Sequence, residues 1–339
     1  VTSVLFVRLS AMGDLVHGLG AIESLHRARP DWRLTVVTQT PFAPLLAGFP
    51  GVARVVGFDR RGGLSAFRRL RTALRCERYD VAIDLQGNWK SAAVAWLSGA
   101  RLRLGAGAAW RQEPASRWLL HRTVPVAGPR HPARIAFALV QHLALDAVPT
   151  PGRLQATDAE LATERTTLAG LGVDPVHPFR VLVVTDPADP RALRPRILAA
   201  EAAASAEPTV LLLGPAEASL PVPADTRVLR HRAGELRRLV ALGQLVAAAG
   251  GLVIGPDQGA SHVLAAAGAR CLVAFGAQDP ACTAPSTATV LLHPAPPPCA
   301  PCRRRRCRHA DGPVCMEFTT AEARTVAPGM PWPTASGPR

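Results

Sequence analysis

Short apolar runs alternate with helix-forming stretches along the first half of the chain, and this alternation constrains the fold more than any other feature. Residues 4–7, 34–37, 52–56 and 81–85 are strand-length apolar runs, and helical stretches fit near 19–28, 41–48, 64–76 and 89–98. Strands that recur with helices between them form a parallel sheet covered on both faces, because a parallel crossover needs about a dozen residues or more. Residues 110–120 and 135–145 read as further helices. Pro149-Thr-Pro-Gly152 then breaks the pattern and suits a linker. After a helix over 158–168 the rhythm restarts, with strands over 180–184, 209–213, 252–254 and 271–275. The pattern predicts two doubly wound α/β domains, residues 1–152 and 153–339, with 149–152 as a hinge. The tail from Pro328 is rich in Pro, Gly and Ser and is expected to fray.

Two strand-to-helix turns carry chemistry. The first, Arg8-Leu-Ser-Ala-Met-Gly-Asp14-Leu-Val-His17, follows the opening strand. Such a turn presents its residues at the carboxyl edge of a doubly wound sheet, where ligands bind. It offers a carboxylate, Asp14, instead of a Gly-rich phosphate cradle. From the residues alone, Asp14 suits a general base and a helix N-cap equally. The second turn, Val253-Ile-Gly255-Pro-Asp257-Gln-Gly259-Ala-Ser-His262, opens a helix whose free N–H groups and positive dipole end suit a diphosphate. The competing reading is a helix start with an Asx-type turn and a packed histidine.

Composition narrows the function classes. Hydrophobic residues make up 48% of the chain, enough for two cores. No uninterrupted apolar run approaches the roughly 20 residues of a spanning helix. The nearest, 239–254, is broken by Gly243, Gln244, Gly250 and Gly251. The first residues lack a basic segment followed by an apolar core and a cleavage site, so a soluble cytoplasmic protein is expected. The net charge is +14, almost all from arginine, with Lys90 the single lysine. Such an excess attracts nucleic acid, phosphorylated substrates or an anionic membrane face. Aromatic residues at 5%, with one tyrosine, argue against nucleic acid. Of seven cysteines, Cys299, Cys302, Cys307 and Cys315 cluster. Two readings stand: a structural zinc held by four thiolates, with His309 as a spare ligand, or a thiol-bearing loop that forms disulfides on oxidation.

Five motifs in order resemble the lipopolysaccharide heptosyltransferases, glycosyltransferase family 9. They are Ser10-Ala-Met-Gly-Asp14, Tyr79-Asp-Val-Ala-Ile-Asp84-Leu-Gln-Gly87, Lys90-Ser91-Ala92, the turn from Gly255 to His262, and Phe275-Gly-Ala-Gln-Asp279-Pro280. The resemblance runs over residues 4–322. Arg111-Gln-Glu113-Pro114-Ala115-Ser116, followed by His131, looks most like heptosyltransferase I, whereas the cysteine segment looks more like heptosyltransferase II.

The resemblance implies a GT-B fold of two Rossmann-like domains around an interdomain cleft. It implies an ADP-heptose donor (ADP-L-glycero-D-manno-heptose), an inverting single displacement and no cofactor required for catalysis. The implied acceptor is anionic Kdo-lipid A or a core oligosaccharide, reached peripherally at the inner face of the inner membrane. It assigns the catalytic base to Asp14. Acceptor contacts fall to Ser10, Met12, Gly13 and His17, then Arg60 and Arg61, Lys90 and Arg111. Donor contacts fall to Thr185, Gly255, Asp257, Gln258, Gly259 and His262. Asp84 reads as a strand end that orders the following loop.

Two departures from the family pattern stand out. Gln258 occupies a position where the family carries Thr or Ser. The family's Lys-x-Trp-Pro motif, whose lysine contacts the donor phosphates, is replaced by Thr185-Asp-Pro-Ala-Asp-Pro-Arg191-Ala-Leu-Arg194-Pro195-Arg196. Arg191 and Arg194 are the candidates to supply that charge, since guanidinium grips phosphate well. The alternatives to heptose transfer are another family 9 transferase with a different sugar or acceptor, and a catalytically weakened nucleotide-binding homologue.

Overall fold

The computed structural model describes residues 1–222 and 226–327, so the tail expected to fray from Pro328 lies outside the described residues. The chain divides into two compact units, with the boundary between Arg153 and Leu154.

The first unit contains β1 (Ser3–Val7), α1 (Met12–Ala28), β2 (Arg33–Gln39), β3 (Val52–Phe58), α2 (Gly63–Arg75), β4 (Val81–Asp84), α3 (Trp89–Leu97), β5 (Leu102–Ala106), β6 (Arg122–Val124) and α4 (Pro132–Leu143). Its six strands are all parallel, in the order β3-β2-β1-β4-β5-β6. β1 is central, and Val4 to Val7 are fully buried because helices cover both faces. Leu5 and Val7 share a core with Leu70 and Leu74 of α2 and Val94 of α3. The alternate residues Val4 and Phe6 turn to the other face, where α1 and α4 pack on each other.

Two expected helices take another form. Residues Thr40–Leu46 make a 3-10 turn, with Pro41 at its start and Pro44 within it. Residues 110–120 split into short 3-10 turns at Ala108–Trp110 and Pro114–Leu119, because Arg111 and Glu113 are extended and Pro114 starts a new turn.

The second unit contains α5 (Asp158–Gly170), β7 (Arg180–Val184), α6 (Pro195–Ala203), β8 (Thr209–Leu213), β9 (Arg227–Arg230), α7 (Leu236–Ala248), β10 (Leu252–Pro256), α8 (Gly259–Ala266), β11 (Cys271–Phe275), α9 (Pro280–Thr283), β12 (Thr289–Leu292) and β13 (Arg324–Val326). The sheet order is β9-β8-β7-β10-β11-β12-β13, and only β13 is antiparallel. Met316 and Phe318 of the C-terminal segment fill a core with Leu182, Ile197, Ile254 and Leu291, which fixes that segment to the sheet.

The two sheets share one strand order. In each, the chain starts in the middle, winds outward to one edge, and returns to continue on the other side. The direction of winding reverses between β1 and β4 in the first unit and between β7 and β10 in the second. The crevice at the carboxyl ends of such a strand pair is where doubly wound sheets bind ligands.

The expected hinge at 149–152 is instead packed into the first unit. A Cβ on Gly20 of α1 would fall 2.0 Å from the Thr150 carbonyl oxygen, and one on Gly152 would fall 2.6 Å from the Gly20 nitrogen. Leu154 already donates its N–H to the Ala266 carbonyl of the second unit, at 3.0 Å.

Candidate active site

Asp14 occupies the third position of α1, and Ala11 is the N-cap. Its Oδ2 reaches back to accept the Ala11 N–H at 3.2 Å. The same oxygen is ion-paired with the guanidinium of Arg8, the residue after β1. Arg8 is itself buried and also donates to the Leu85 carbonyl. Asp14 therefore serves the helix start with one oxygen only. Oδ1 makes no hydrogen bond among the described residues, and the side chain is 24% exposed. A carboxylate fixed through one oxygen and open at the other can accept a proton from a bound hydroxyl. Arg8 escaped the sequence reading. The signal for it was a lone cation directly after an apolar strand.

Gln86, just past β4, ties the two turns of the switch point together. Its Oε1 accepts from the Leu9 and Ser10 N–H groups at 2.9 and 3.3 Å, and its Nε2 donates to Ser10 Oγ at 3.2 Å. Ser10 is thus engaged in shaping the turn. Met12 is partly exposed, and Gly13 is buried. His17, one turn beyond Asp14, packs edge-on against His131 at 4.5 Å between ring centroids. His131 in turn caps α4, accepting the Ala133 N–H at 3.2 Å.

Arg111 does not face an acceptor. Its side chain is 0% exposed and donates to Asp84 Oδ2 at 2.6 Å and to Ser116 Oγ at 2.7 and 2.9 Å. The other oxygen of Asp84 accepts the Gln86 and Gly87 N–H groups, both at 3.0 Å. The buried pair therefore orders the loop that carries Gln86. Lys90 is exposed at the second position of α3. Arg60 and Arg61 are exposed after β3, where the Arg61 N–H donates to Asp59 Oδ1 at 3.0 Å.

The second unit gathers its candidates at the β7–β10 switch point. Thr185, just past β7, is buried, and its Oγ1 has no hydrogen-bond partner among the described residues. Gly255 is the next-to-last residue of β10, and only glycine fits there: a Cβ would fall 2.7 Å from both Ser261 Oγ and Val183 Cβ. Asp257 is buried, with Oδ1 2.9 Å from His262 Nε2 and Oδ2 accepting from Thr283 Oγ1 at 3.1 Å. Helix α8 starts at Gly259. Its N-cap, Gln258, makes no side-chain cap, so the first N–H groups of the helix remain for a ligand.

Gln258 Nε2 reaches Asp189 at 3.5 Å, and Asp189 holds Arg191 in a two-bond fork at 3.0 and 2.7 Å. Arg191 also donates to the Asp257 carbonyl at 3.1 Å, which brings the guanidinium to the α8 turn. Burial pushes the Asp189 carboxyl up, but the hydrogen bonds from Arg191 outweigh it and hold the group below the usual carboxylate range. Those bonds raise the Arg191 pKa against the effect of burial. Arg194 points elsewhere: it donates to the Pro187 carbonyl at 3.2 Å and lies 3.9 Å from Glu317 of the C-terminal segment. Only Arg191 of the two candidates therefore joins this turn. Sequence reasoning also missed Glu217 and His231, buried past β8 and β9. A Cβ on Gly214 would fall 2.7 Å from Glu217 Oε2 and 3.4 Å from His231 Nε2. Burial lowers the His231 pKa, which favours a neutral ring. Neither residue lies in a recognisable motif.

The cysteine cluster does not fit a zinc shell. All four thiols are free, and no group of three or more His, Cys, Asp or Glu among the described residues is arranged to hold a metal ion. Cys315 is buried beneath Gly276, where a Cβ would fall 2.8 Å from its Sγ, while Cys299 is exposed. Burial pushes the Cys315 thiol up to about 11, with Cys307, Cys302 and Cys299 adding to the rise. His309 turns to its neighbour Asp311, accepting its N–H at 3.2 Å.

The sequence profile of glycosyltransferase family 9 (heptosyltransferase) matches residues 67–207 and 223–311. Lipopolysaccharide heptosyltransferase 1 of Pseudomonas aeruginosa is 31% identical over 137 residues, covering 38% of this chain and 39% of that protein. The Escherichia coli K12 protein of the same name is 29% identical over 137 residues, covering 38% and 43%. The chain thus spans about two fifths of the length of these curated relatives.

Solved structures align over more of the chain. A glycosyl transferase family 9 protein from Veillonella parvula gives a TM-score of 0.74 at 17% identity, covering 86% of this chain and 85% of that one. E. coli heptosyltransferase WaaC with ADP gives 0.62 at 24%, covering 83% and 89%. E. coli ADP-heptose LPS heptosyltransferase II gives 0.66 at 20%, covering 86% and 90%. At these identities the likeness is one of fold, two parallel-sheet α/β domains of the GT-B class. Since the family profile matches more than half of its residues, the chain belongs to glycosyltransferase family 9, the heptosyltransferase family.

Proposed function

We propose that the protein is an inverting transferase that moves heptose from ADP-L-glycero-D-manno-heptose to Kdo-lipid A or the inner core of lipopolysaccharide, at the cytoplasmic face of the inner membrane. The observation that carries this reading is the chemistry at the two switch points. One holds a carboxylate with a free oxygen, Asp14, and the other an uncapped helix start beside Arg191 and the Asp257–His262 pair. The relatives support the substrate class: the solved WaaC structures hold ADP and ADP-2-deoxy-2-fluoro heptose, and the curated relatives are lipopolysaccharide heptosyltransferases.

In this reading the acceptor hydroxyl attacks the anomeric carbon from the face opposite the diphosphate. Asp14 Oδ1 takes the hydroxyl proton as the new C–O bond forms. The bond to the diphosphate breaks, ADP leaves with the electron pair, and the configuration inverts. The departing charge is met by the first N–H groups of α8 and by Arg191, so the transfer needs no metal for this step. Arg8 and the Ala11 N–H keep Oδ2 in place while Oδ1 works. The acceptor's phosphates and carboxylates suit Arg60, Arg61 and Lys90.

The test is ADP release by the purified protein with ADP-heptose and Kdo-lipid A, beside Asp14→Asn. We expect release that needs both substrates, and at least a roughly hundredfold loss in the variant with ADP binding retained. Full turnover by Asp14→Asn would remove Asp14 as the base. Donor binding without turnover would point to a different acceptor, and no donor binding would overturn the donor assignment.

A further inference from the structure

Helices α2 and α3 cover the same face of the first sheet, and their outer surface has one sign of charge. From Arg60 to Arg75 the chain carries six arginines and no carboxylate, and α3 adds Lys90 without one. Among the described residues, Arg69 alone of the six approaches a carboxylate, Asp59 at 3.9 Å. The inward residues of α2 are Ala66, Leu70 and Leu74, so Arg68, Arg69, Arg71 and Arg75 are left outside along its length.

Where α2 and α3 end, a groove of about 540 Å³ opens, lined by Arg71, Arg75, Trp96, Leu97, Gly99 and Arg103. Two of its arginines are set in place by backbone. Arg75 Nε donates to the Leu97 carbonyl at 3.0 Å, and Arg103 Nε donates to the Leu119 carbonyl at 2.7 Å. Gly99 lets the Arg75 guanidinium lie close, since a Cβ there would fall 2.7 Å from its Cζ. Among the described residues none of the three arginines pairs with a carboxylate, so their remaining N–H groups are open to an anion. The groove lies at the amino ends of β4 and β5, the sheet edge opposite Asp14.

The same layer carries the exposed tryptophans. Trp96 is 54% exposed at the groove, Trp118 is 74% exposed on the turn packed against α3, and Trp89 is exposed at the start of α3. Leu64, at the start of α2, is also exposed. Arginines without carboxylate partners, interspersed with exposed tryptophans, match the chemistry of a bilayer interface. There the indole sits at headgroup level and each basic residue gains from anionic lipid.

We propose that the α2–α3 layer is the surface on which the protein docks to an anionic phospholipid bilayer, with a lipid phosphate seated among Arg71, Arg75 and Arg103 and the Trp96 ring beside it. The groove arginines, Arg71, Arg75 and Arg103, are distinct from the residues assigned to the sugar donor and to the acceptor.

The experiment is co-sedimentation of the full chain with vesicles of phosphatidylcholine alone and of phosphatidylcholine with phosphatidylglycerol, with neither donor nor acceptor added. Failure here therefore leaves the transferase reading standing. Binding is expected only to the anionic vesicles and to fall with added salt. Arg71→Gln/Arg75→Gln/Arg103→Gln is expected to lower the partition roughly a hundredfold, about fivefold for each charge lost. Arg71 is exposed and has no ion-pair partner among the described residues, so Arg71→Gln alone keeps the fold and is expected to give the single fivefold step. Arg304→Gln/Arg305→Gln/Arg306→Gln removes the same charge from an exposed stretch of the second unit and is expected to retain most of the binding. Equal losses in the two triple variants would reduce the effect to net charge and overturn the docking surface. Wild-type binding by the groove variant would overturn it too, as would retention on duplex DNA with no binding to anionic vesicles.

Discussion

Replacing Arg111 by methionine separates a structural role from an acceptor role. Both side chains of the Arg111–Asp84 pair are 0% exposed, at 2.6 Å. Arg111→Met keeps much of the volume but strands a carboxylate in the interior, which costs about 3–5 kcal/mol. For a unit of this size, each kcal/mol moves the melting midpoint by roughly 2–4 °C, so a drop of roughly 6–20 °C is expected. Asp84→Asn should relieve part of this loss. Asparagine keeps an oxygen for the Gln86 and Gly87 N–H groups but removes the orphaned charge. The double variant Asp84→Asn/Arg111→Met is therefore expected to be more stable than Arg111→Met alone, by about 1–3 kcal/mol. A chain of two units need not unfold in one step, so hydrogen-exchange protection of the β1 and β4 amides should be read beside the midpoint. If Arg111→Met leaves the midpoint within about 1 °C and raises only the acceptor KM, the guanidinium faces the acceptor and the structural argument fails.

Two further predictions concern titration. Arg237 hydrogen-bonds Glu160 and holds its carboxyl at about 2, below the usual 4.5. A folded-state pKa below the unfolded one gives stability that is complete above about pH 5 and lost as the pH falls toward 2. The shift corresponds to about 3 kcal/mol at most, and partial exposure reduces it to roughly 1–2 kcal/mol. Glu160→Gln should be less stable by that amount at neutral pH, and urea titrations should show the gap narrowing by about half near pH 3; a constant gap would refute the ion pair as its source. Burial pushes the Cys271 thiol up to about 12 and Cys315 up to about 11, while Cys76 and Cys299 are exposed. At about pH 8, a disulfide reagent should modify Cys76 and Cys299 first, and Cys271 and Cys315 only after unfolding. Protection of the whole 299–315 segment together with one bound zinc per chain would show that the four thiols converge after all.

The architecture was legible in the sequence because buried parallel strands leave continuous apolar runs. β7, β8 and β11 match their expected bounds to the residue. The missed strands β5, β6, β9, β12 and β13 are short or carry arginines: Arg103 lies within β5, and Arg227 and Arg230 begin and end β9, so their apolar pattern is interrupted. The candidate site divides in the same way. Local motifs brought Asp14, Asp257 and His262 to notice because turn and helix start are contiguous in sequence. What was hidden depends on partners distant in the chain. The clamp from Gln86 to Ser10 spans 76 residues, and the choice between Arg191 and Arg194 rests on which one reaches Asp257. The resemblance put Arg111 on the acceptor side because nothing local in the sequence points to its carboxylate, 27 residues away, which the fold brings beside it.

The chain has one lysine against 38 arginines, and that lysine, Lys90, stands exposed at the start of α3. Guanidinium keeps its proton throughout the range in which proteins are handled, whereas an ammonium does not. Lys90 apart, the positive surface of the first unit is therefore insensitive to alkaline pH and closed to lysine acetylation as a means of control. It also leaves amine-directed chemistry a single side-chain address. A fluorophore or crosslinker coupled there reports from the carboxyl edge of the same sheet that carries Asp14, without an engineered cysteine.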